Sequence, residues 1–507
     1  MRAPPTPTAP PTPPPLPDLH ALAASSPWLA GQPGLKEEVA RWQRTLPPVR
    51  RQLATEAARL ARPRLWVDTV ASLATTGYKV AAAAAPDAPL ALLSAAAAAA
   101  GLPIAAPRTT SGTLERAARL VRAGGPAYIK LGQFIASARG LRPDEWVDSF
   151  AWCRDRVPAL PDGVAVALAR RQLGSGWGRL RDFSPEPIAA ASIAQVHEAT
   201  LDDGTEIVVK VRRPHLRQQL RSDIETMAIV AAVAERLHPA ARLANLTGFV
   251  ELFSQLVLQE LDLRLEALNL AELGVAFEHA GIDYCTLPRP IPGLVTEDVL
   301  TMERVGGVPY DAAGATFGSD LDGERLLELA IRGVLETTLI YGVFHGDLHA
   351  GNVLIDGGER FSLVDFGICG RIDATQRAAL VRFMLAFAQM DAAGQLAAFE
   401  QFGAIPADAD LDSLSAELQL ALDEIDPGHG ATLTFDRVGD TLSRVMRILS
   451  AAKFRLPKDL VLFFKNLLYL TGFTAAVAPD ADLLSQIGPI LAHFMGKYGE
   501  ELAALAV

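Results

Sequence analysis

The sequence predicts an α+β protein with two lobes, a small β-rich lobe followed by a larger helical lobe, and a helical extension before both. Residues 206–214, EIVVKVRRP, alternate apolar and polar side chains as a half-buried strand does. Residues 353–365 suggest two short strands around a turn, and the helical pattern TQRAALVRFMLAFAQM follows them. With 507 residues, of which 50% are hydrophobic, the chain can bury a large core.

Composition divides the chain further. The opening residues, MRAPPTPTAPPTPPPLPDL, are rich in proline and contain no apolar run, so they are expected to be disordered and are not a signal peptide. Together with the motifs and the resemblance described below, composition predicts five segments: a disordered proline-rich tail (1–30), a helical alanine-rich region (31–110), a helical extension (111–182), the smaller lobe (183–305) and the larger lobe (306–507).

Two apolar stretches raise the question of a membrane span. Residues 80–106 are rich in alanine, but three prolines and Asp87 interrupt them, so a hairpin or a surface-lying helix is favoured. Residues 459–478 carry Lys465 and Asn466 in the middle of the run, which favours a buried helix of the larger lobe. The sequence therefore contains no convincing span.

Charge and cysteine content exclude two classes of function. A net charge of -11 and an isoelectric point near 5.4 argue against nucleic acid as a partner, because phosphate backbones require a basic surface. Cys153, Cys285 and Cys369 are widely separated, which excludes a disulfide framework or a structural zinc site and fits a reducing compartment. Any anion that the protein binds must be held by a few local groups.

The segment FHGDLHAGNVLI, residues 344–355, carries the strongest chemical signal. Phosphoryl transfer needs a carboxylate to orient the attacking oxygen, an amide oxygen for a metal ion and a second carboxylate to bridge metal and phosphates. Asp347, Asn352 and the Asp365 of VDFG supply these groups in that order. Asn352 follows Asp347 by five residues, as in the H-R-D-L-x-x-x-N loop of protein kinases. The order predicts an ATP and Mg²⁺ site of the protein-kinase type, with a hairpin between its two loops.

The residues predicted to bind the nucleotide lie before this loop in the sequence. Lys210 lies in VVKV, which resembles the V-A-I-K strand whose lysine holds the α and β phosphates. Residues 189–196, AAASIAQV, match G-x-G-x-x-G-x-V with alanine at each glycine, which predicts a stiffer loop. Residues 299–307 are expected to join the lobes. The predicted nucleotide-binding residues are Ala189, Ala190, Ala191, Ser192, Ala194, Val196, Lys210, Glu303 and Val305.

Three further motifs make the resemblance specific. They are K-x-G-Q in YIKLGQFIASARGLRPDEW (128–146), the alanine-rich loop in PIAAASIAQVHEA (187–199) and E-x-D in QELDLRLEALNL (259–270). Together with the loops above, they resemble the ABC1/ADCK/UbiB atypical kinase-like family, also called the coenzyme Q biosynthesis kinase-like family, over about residues 111–480.

This resemblance implies a protein-kinase-like fold in which the K-x-G-Q helices cover the place where a peptide substrate would bind. Lys130 and Gln133 of this motif are then expected to lie near the E-x-D carboxylates, with Lys130, Glu260 and Asp262 forming a clasp. Asp262 and Glu266 are four residues apart and are expected to share a helix face, from which Glu266 pairs with Lys210.

Departures from ordinary protein kinases narrow the expected reaction. Gly346 replaces the arginine of H-R-D, and no A-P-E motif follows Asp365, so the segment that docks peptides is missing. We expect an ATPase or a small-molecule or lipid kinase rather than a general protein kinase. The resemblance implies a role in isoprenoid quinone biosynthesis or membrane lipid homeostasis, with ATP and a membrane lipid or isoprenoid quinone precursor as partners.

Two alternatives remain open from the sequence. An aminoglycoside or choline phosphotransferase would share Asp347, Asn352 and Asp365 but would lack the K-x-G-Q extension and the alanine loop. A pseudokinase would bind nucleotide and act as a lipid chaperone without turnover. In each case the expected location is cytoplasmic, and for the family reading it includes peripheral binding at the inner face of a bacterial membrane.

Overall fold

The structure is a computed structural model that describes residues 13–62, 111–136, 144–155, 157–237, 245–405, 409–423, 457–479 and 483–506, with five single positions between 444 and 481. The expectation for residues 80–106 lies outside these residues. The helices are α1 (Leu19–Ser25), α2 (Pro27–Ala30), α3 (Leu35–Leu60), α4 (Ser111–Gly124), α5 (Pro126–Ala136), α6 (Asp144–Phe150), α7 (Trp152–Asp155), α8 (Val164–Leu173), α9 (Leu216–Leu237), α10 (Leu246–Gln259), α11 (Leu263–Ala280), α12 (Tyr310–Phe317), α13 (Gly323–Tyr341), α14 (Ala374–Ala388), α15 (Ala392–Gln401), α16 (Leu411–Asp423), α17 (Lys458–Val477) and α18 (Leu483–Ala506).

Short strands form three sheets among the described residues. The strands are β1 (Leu180–Arg181), β2 (Pro187–Ala190), β3 (Ala194–Leu201), β4 (Glu206–Arg212), β5 (Cys285–Thr286), β6 (Pro290–Val295), β7 (Val299–Glu303), β8 (Val308–Pro309), β9 (Val343–His345), β10 (Val353–Ile355), β11 (Phe361–Leu363) and β12 (Cys369–Arg371). The predicted α+β class is confirmed by this mixture of small sheets and long helices.

The sheet of the first lobe is antiparallel, in the order β1-β3-β4-β7-β6, with β2 paired to β3. The central strand β4 buries five of its seven side chains because both faces of the sheet are packed there, with Val208 in one apolar cluster and Ile207, Val209 and Val211 in another. The sheet begins at β1, slightly before the predicted start of the lobe at residue 183. Among the residues described between β4 and β5, helices α9 to α11 are present, so this lobe contains more helix than a small β-rich lobe implies.

Helix α11 is the element on which the two lobes meet. It contacts α3, α13 and strands β6, β7 and β9. Asp262 caps its first turn by accepting the Arg264 N–H, and Gly281 ends it in the left-handed conformation with φ 66°. Most of its side chains are buried, including Glu266 and Glu272. A buried helix that carries carboxylates must supply them with partners, and these partners lie in the candidate site.

The second lobe holds the polar loops on a helical base. Strands β10 and β11 pair antiparallel, with Val353 opposite Leu363, and form the hairpin that the sequence predicts between the two loops. Strand β12 returns to pair with β9, and α14 begins at Ala374 directly afterwards. The chain therefore reaches a helix within eight residues of Phe366, with no long segment between them.

The prediction that residues 1–30 form a disordered tail is wrong for residues 19–30, which form α1 and α2. Leu29 is fully buried. The Trp28 ring packs so closely on α11 that a Cβ atom at Gly274 would lie 2.5 Å from it. Proline-rich composition indicates disorder only where apolar side chains cannot reach a core, and Leu29 and Trp28 reach one.

Helix α17 is the one described helix that is long and apolar enough to cross a membrane. Three quarters of its most apolar window, 75%, is buried inside the protein. The helix contacts α12 and α13 of the second lobe. This burial agrees with the expectation of a core helix, and it brings Lys465 and Asn466 to the base of the candidate site.

Candidate functional site

Lys210 joins the sheet to Glu266, which the sequence analysis pairs with it, and also to Asp365 of the metal-binding loop. It lies in β4, opposite Val196 of β3 and Leu300 of β7. Its ammonium contacts both oxygens of Glu266, at 2.8 and 3.0 Å, and Oδ1 of Asp365 at 3.0 Å. Burial alone would lower the pKa of Lys210, but Asp365 and Glu266 outweigh it and raise that pKa above its ordinary value. The lysine is therefore a fixed cation at the centre of the site.

The helix that supplies Glu266 also supports the metal-binding loop. Asn269, three residues after Glu266, faces the same side of α11 and donates from Nδ2 to the carbonyl of Phe366 at 2.8 Å. Its Oδ1 accepts a hydrogen bond from Arg371 at 2.8 Å. One face of α11 thus orients Lys210 and the residue after Asp365 together.

The alanine-rich loop is the turn between β2 and β3. Ala189 lies opposite Val196, and the N–H of Ala191 donates to the carbonyl of Ala194 at 2.9 Å. Every described non-glycine residue with positive φ lies outside residues 189–196. Alanine therefore occupies this turn without the left-handed backbone that would favour glycine.

The K-x-G-Q extension braces this turn. The hydroxyl of Ser192, which is 2% exposed, donates to Oε1 of Gln133 at 3.4 Å. Nε2 of Gln133 donates to the carbonyl of Cys153 at 2.8 Å, and Arg213 Nε donates to the carbonyl of Ala191 at 3.0 Å. Because the Ser192 side chain faces Gln133, a contact from this residue to a nucleotide would have to come from its backbone.

The loop after β9 is fixed by its own histidine and asparagine. Nε2 of His345 donates to the carbonyl of Val364 at 3.2 Å, and its Nδ1 accepts the N–H of Asp347 at 3.1 Å. Nδ2 of Asn352 donates to the carbonyl of Asp347 at 2.9 Å. Burial lowers the pKa of His345, which keeps the ring neutral with its proton on Nε2. These hydrogen bonds hold the backbone of the loop in one conformation.

Close packing explains the glycine in place of the kinase arginine. The N–H of Gly346 donates to the carbonyl of Ile368 at 2.8 Å. A Cβ atom at Gly346 would lie 2.8 Å from Cγ2 of Ile368, closer than side chains approach each other. The loop therefore lies directly on the segment after VDFG, and a larger residue at this position would separate the two.

The Asp347 carboxylate has partners that sequence reasoning missed. Lys465 Nζ at 2.8 Å and the Tyr469 hydroxyl at 2.9 Å both donate to its Oδ1. Asn466, also from α17, accepts the N–H of Leu348 at 3.4 Å and donates to the carbonyl of His345. The sequence indicated only that Lys465 and Asn466 interrupt an apolar helix. A buried lysine requires an anion beside it. Lys465 in an apolar helix was therefore the available signal that a carboxylate contacts this helix.

Nearby cationic side chains set the charge state of the Asp347 carboxylate. Burial alone would raise the pKa of Asp347, but Lys465, His349 and Lys130 outweigh it, and the pKa lies well below its ordinary value. His349 Nε2 is 3.8 Å from Oδ2. The carboxylate is thus ionised and suited to orienting an attacking hydroxyl or water rather than to strong general-base catalysis.

Asp365 presents its carboxylate from a strained backbone. Its φ is 61°, in the left-handed region that non-glycine residues seldom adopt. Oδ1 accepts the N–H of Gly367 at 3.3 Å besides contacting Lys210, while 41% of the side chain stays exposed. Partial burial of the Asp365 carboxylate opposes its ionisation, but Lys210 and Lys130 hold the pKa of Asp365 well below its usual range. An exposed, ionised carboxylate beside Lys210 is what a magnesium-nucleotide site requires.

Two of the three residues of the predicted clasp, Lys130 and Glu260, are in contact. Lys130 Nζ lies 2.9 Å from Oε2 of Glu260, with side chains only 11% and 10% exposed. A Cβ atom at Gly367 would lie 3.3 Å from Cγ of Glu260, so this pair covers the metal-binding loop. Burial alone would lower the pKa of Lys130, but Glu260, Asp347 and Asp365 raise it.

The assignment of Asp262 to this clasp is wrong. Its Oδ1 accepts the N–H of Arg264 at 3.1 Å, and its carboxylate binds the Arg264 guanidinium at 2.9 and 2.7 Å. Asp262 is the N-cap of α11 and has extended backbone, so the expectation that it shares a helix face with Glu266 fails. Side chains share a face at spacing four only when both residues are inside the helix.

The segment between the lobes begins at the end of β7. The carboxylate of Glu303 accepts the N–H of Arg289 at 2.9 Å and lies 3.3 Å from its guanidinium. Val305 is half-buried in the connection that follows. Because the Glu303 side chain is bound to Arg289, a contact from this residue to an adenine would come from its backbone.

The residues present fit a magnesium ion held largely by a nucleotide. Among the described residues, no group of three or more His, Cys, Asp or Glu is placed to hold a metal alone. Asp365 offers an exposed carboxylate, and Oε1 of Glu260 is buried without a hydrogen-bond partner beside the same loop. Magnesium usually binds through one or two carboxylates together with phosphates and water, which suits this sparse set.

Comparison with known proteins agrees with this geometry. The ABC1 atypical kinase-like domain matches residues 153–398. The uncharacterized protein Rv0647c of Mycobacterium tuberculosis is 35% identical over 390 residues, which are 74% of this chain and 78% of that protein.

Two relatives are named probable protein kinase UbiB. The one from Marinobacter nauticus is 30% identical over 385 residues, 74% of this chain and 68% of its own length. The one from Azotobacter vinelandii is 31% identical over 378 residues, 74% of this chain and 70% of its own length. A solved complex of Rv3197 with erythromycin from Mycobacterium tuberculosis covers 71% of this chain and 93% of its own, at 23% identity and a TM-score of 0.41. The chain therefore belongs to the ABC1/UbiB family of atypical kinase-like proteins.

Proposed function

We propose that this protein is an ATP-dependent enzyme, an ATPase or a small-molecule or lipid kinase, and not a general protein kinase. The observation that carries the proposal is the meeting of Lys210 with Glu266 and Asp365, all within 3.0 Å of one ammonium. Such an arrangement supports the proposal, because a cation that could bind phosphate lies beside a carboxylate that could bind magnesium. Asp347 lies in the adjoining loop, tied to Asn352 by a hydrogen bond of 2.9 Å.

Each of these residues has a distinct part in such a reaction. Lys210 would bind the α and β phosphates, and Asp365 with Asn352 would hold magnesium, which when bound neutralises charge on the transferred phosphoryl group. Asp347 would orient the attacking oxygen. Its low pKa favours this positioning role.

The nature of the acceptor follows from what covers the site. The Lys130–Glu260 pair lies against the metal-binding loop, and Gln133 contacts Ser192 of the alanine loop. The chain enters α14 soon after Asp365, which leaves no segment to dock a peptide. We infer that water or a small lipid-like molecule accepts the phosphate. A part in isoprenoid quinone biosynthesis or membrane lipid homeostasis, which the family resemblance implies, fits such an acceptor.

The aminoglycoside or choline phosphotransferase alternative is less well supported. It would share Asp347, Asn352 and Asp365, but it would not need the extension residues Lys130 and Gln133, which here contact the site. A pseudokinase would bind the nucleotide but would not turn it over, so ATP turnover is the property that separates this alternative from our proposal.

Breaking the clasp tests whether it restricts turnover at the site. In Lys130→Ala, Glu260 loses its ion pair and becomes a buried, unpaired charge, which typically costs about 3–5 kcal/mol and should loosen α5 over the loop. With γ-labelled ATP and generic protein substrates, we expect the unmodified chain to release phosphate without labelling protein. The variant should release phosphate several-fold faster.

The matched control is Lys36→Ala at the start of α3, which should behave as the unmodified chain. Strong labelling of proteins by the unmodified chain would contradict the proposal. Equal rates in Lys130→Ala and the unmodified chain would show that the pair does not restrict the site.

Membrane binding gives a separate prediction. We expect full-length protein to float with phospholipid vesicles through its N-terminal apolar segments, including residues 80–106. Because the net charge is -11, binding should rest on apolar contact and persist at high salt, without preference for anionic vesicles. Replacing Leu92 and Leu93 with glutamate should reduce flotation. Protein that stays at the bottom of the gradient with every vesicle composition would refute peripheral binding.

A further inference from the structure

We propose that Lys465 is a positioning residue for Asp347, and that through it helices α17 and α5 set the orientation of the catalytic carboxylate. The proposal rests on the proposed function, because it assigns a role in the same reaction. It concerns a residue that lies 118 positions beyond Asp347 in the sequence and outside every motif considered above.

The geometry leaves one oxygen of Asp347 for the reaction. Lys465 and Tyr469 both donate to Oδ1, at 2.8 and 2.9 Å, so this oxygen is already bound. Oδ2 lies 3.8 Å from Nε2 of His349, beyond hydrogen-bond distance. Two donors on one oxygen restrain the orientation of the carboxylate, and Oδ2 is the oxygen that would face an attacking hydroxyl or water.

Lys465 also touches the extension. Its Nζ lies 4.7 Å from the ring centroid of Phe134 and 5.1 Å from that of Tyr469, both within the range of a cation–π contact. Phe134 directly follows Gln133 on α5. The lysine is 5% exposed at its side chain, so these contacts are shielded from water. A movement of α5 or α17 would therefore change the position of the ammonium that holds Asp347.

The loop itself supplies no lysine or arginine at this point, since residues 348–351 are LHAG. The other charged or titratable groups that face Asp347 are His349 of the same loop, Tyr469 of α17, Lys130 of α5, Asp365 and His345. Of these groups, Lys465 is the cation in direct contact with the carboxylate.

The test compares Lys465→Met, Lys465→Arg and Tyr469→Phe with unmodified full-length chain. Both kcat and KM for ATP are measured, together with stabilisation by magnesium and ADP in a thermal melt. We expect Lys465→Met to lower kcat about 30-fold or more while KM for ATP changes less than about twofold, since positioning acts on turnover rather than on nucleotide binding.

The other variants separate positioning from folding. Lys465→Arg should recover part of kcat, since it keeps the charge, and Tyr469→Phe should lower kcat only about two- to fivefold. The proposal fails if Lys465→Met keeps normal kcat, if Lys465→Arg loses as much kcat as Lys465→Met, or if kcat and nucleotide binding fall together. If Lys465→Met does not fold, normal kcat in Tyr469→Phe overturns it. If the unmodified chain shows no turnover, the proposed function itself fails.

Discussion

Replacing Asp365 with asparagine should abolish magnesium-dependent nucleotide binding. The change removes the exposed, ionised carboxylate that would bridge metal and phosphate, and it also removes the charged partner 3.0 Å from Lys210. At ATP concentrations about 100 times the dissociation constant, the unmodified protein should gain about 2.7 kcal/mol in its free energy of unfolding, and the variant close to none. Thermal melts with and without magnesium and ATP measure this difference.

A neighbouring carboxylate provides the control for this measurement. Glu359 lies in the turn of the same hairpin, where it is exposed and pairs only loosely with Arg325 at 3.5 Å. Glu359→Gln should keep the full stabilisation by magnesium and ATP. If Asp365→Asn is stabilised as much as Glu359→Gln, Asp365 does not hold the metal.

Replacing Asp347 with asparagine should separate turnover from binding. Asp347 is not part of the Lys210–Asp365 ion pair and would act on the attacking oxygen. Stabilisation of the protein by bound nucleotide should therefore stay near normal. Turnover should fall by about 10²–10⁴-fold, the usual contribution of a well-placed acid–base or positioning group. Steady-state kinetics and thermal melts on the same preparation measure both quantities.

The opposite pattern would assign Asp347 another role. Equal loss of binding and turnover would mean that it supports structure or metal binding. The contacts of Asp347 with Lys465 and Tyr469 make stability a necessary control, since asparagine leaves a buried lysine without its anion. A melt without nucleotide shows how much of any loss comes from folding.

Short-range spacing made the core of the site predictable. Asp347 and Asn352 are five residues apart on one loop, and a short hairpin leads from there to Asp365, so few arrangements are compatible with the sequence. Lys210 could be placed because alternation identifies its strand, and the Lys210–Glu266 pair predicted from the resemblance is present. Local patterns are informative here because each motif lies on a single loop or strand.

Contacts between distant segments were not predictable in this way. Asp262 was misplaced because a spacing of four does not reveal where the helix begins, and the cap position turns its side chain to Arg264. Lys465 was read as an interruption of α17 because its partner lies 118 residues earlier. Leu29 was assigned to a disordered tail because composition does not show that α11 offers it a surface. In each case tertiary packing determines the contacts of the residue, and the local sequence does not indicate them.

The central claim is that the clasped site turns over ATP, and steady-state turnover by the purified full-length chain tests it most directly. The assay measures phosphate release and transfer with magnesium and ATP, with and without phospholipid vesicles, and uses the Asp347→Asn and Asp365→Asn double variant as its blank. We expect turnover that vesicles increase and that the double variant lacks, with no label on added protein. No turnover above the blank, with or without vesicles, would contradict the account and favour a nucleotide-binding pseudokinase.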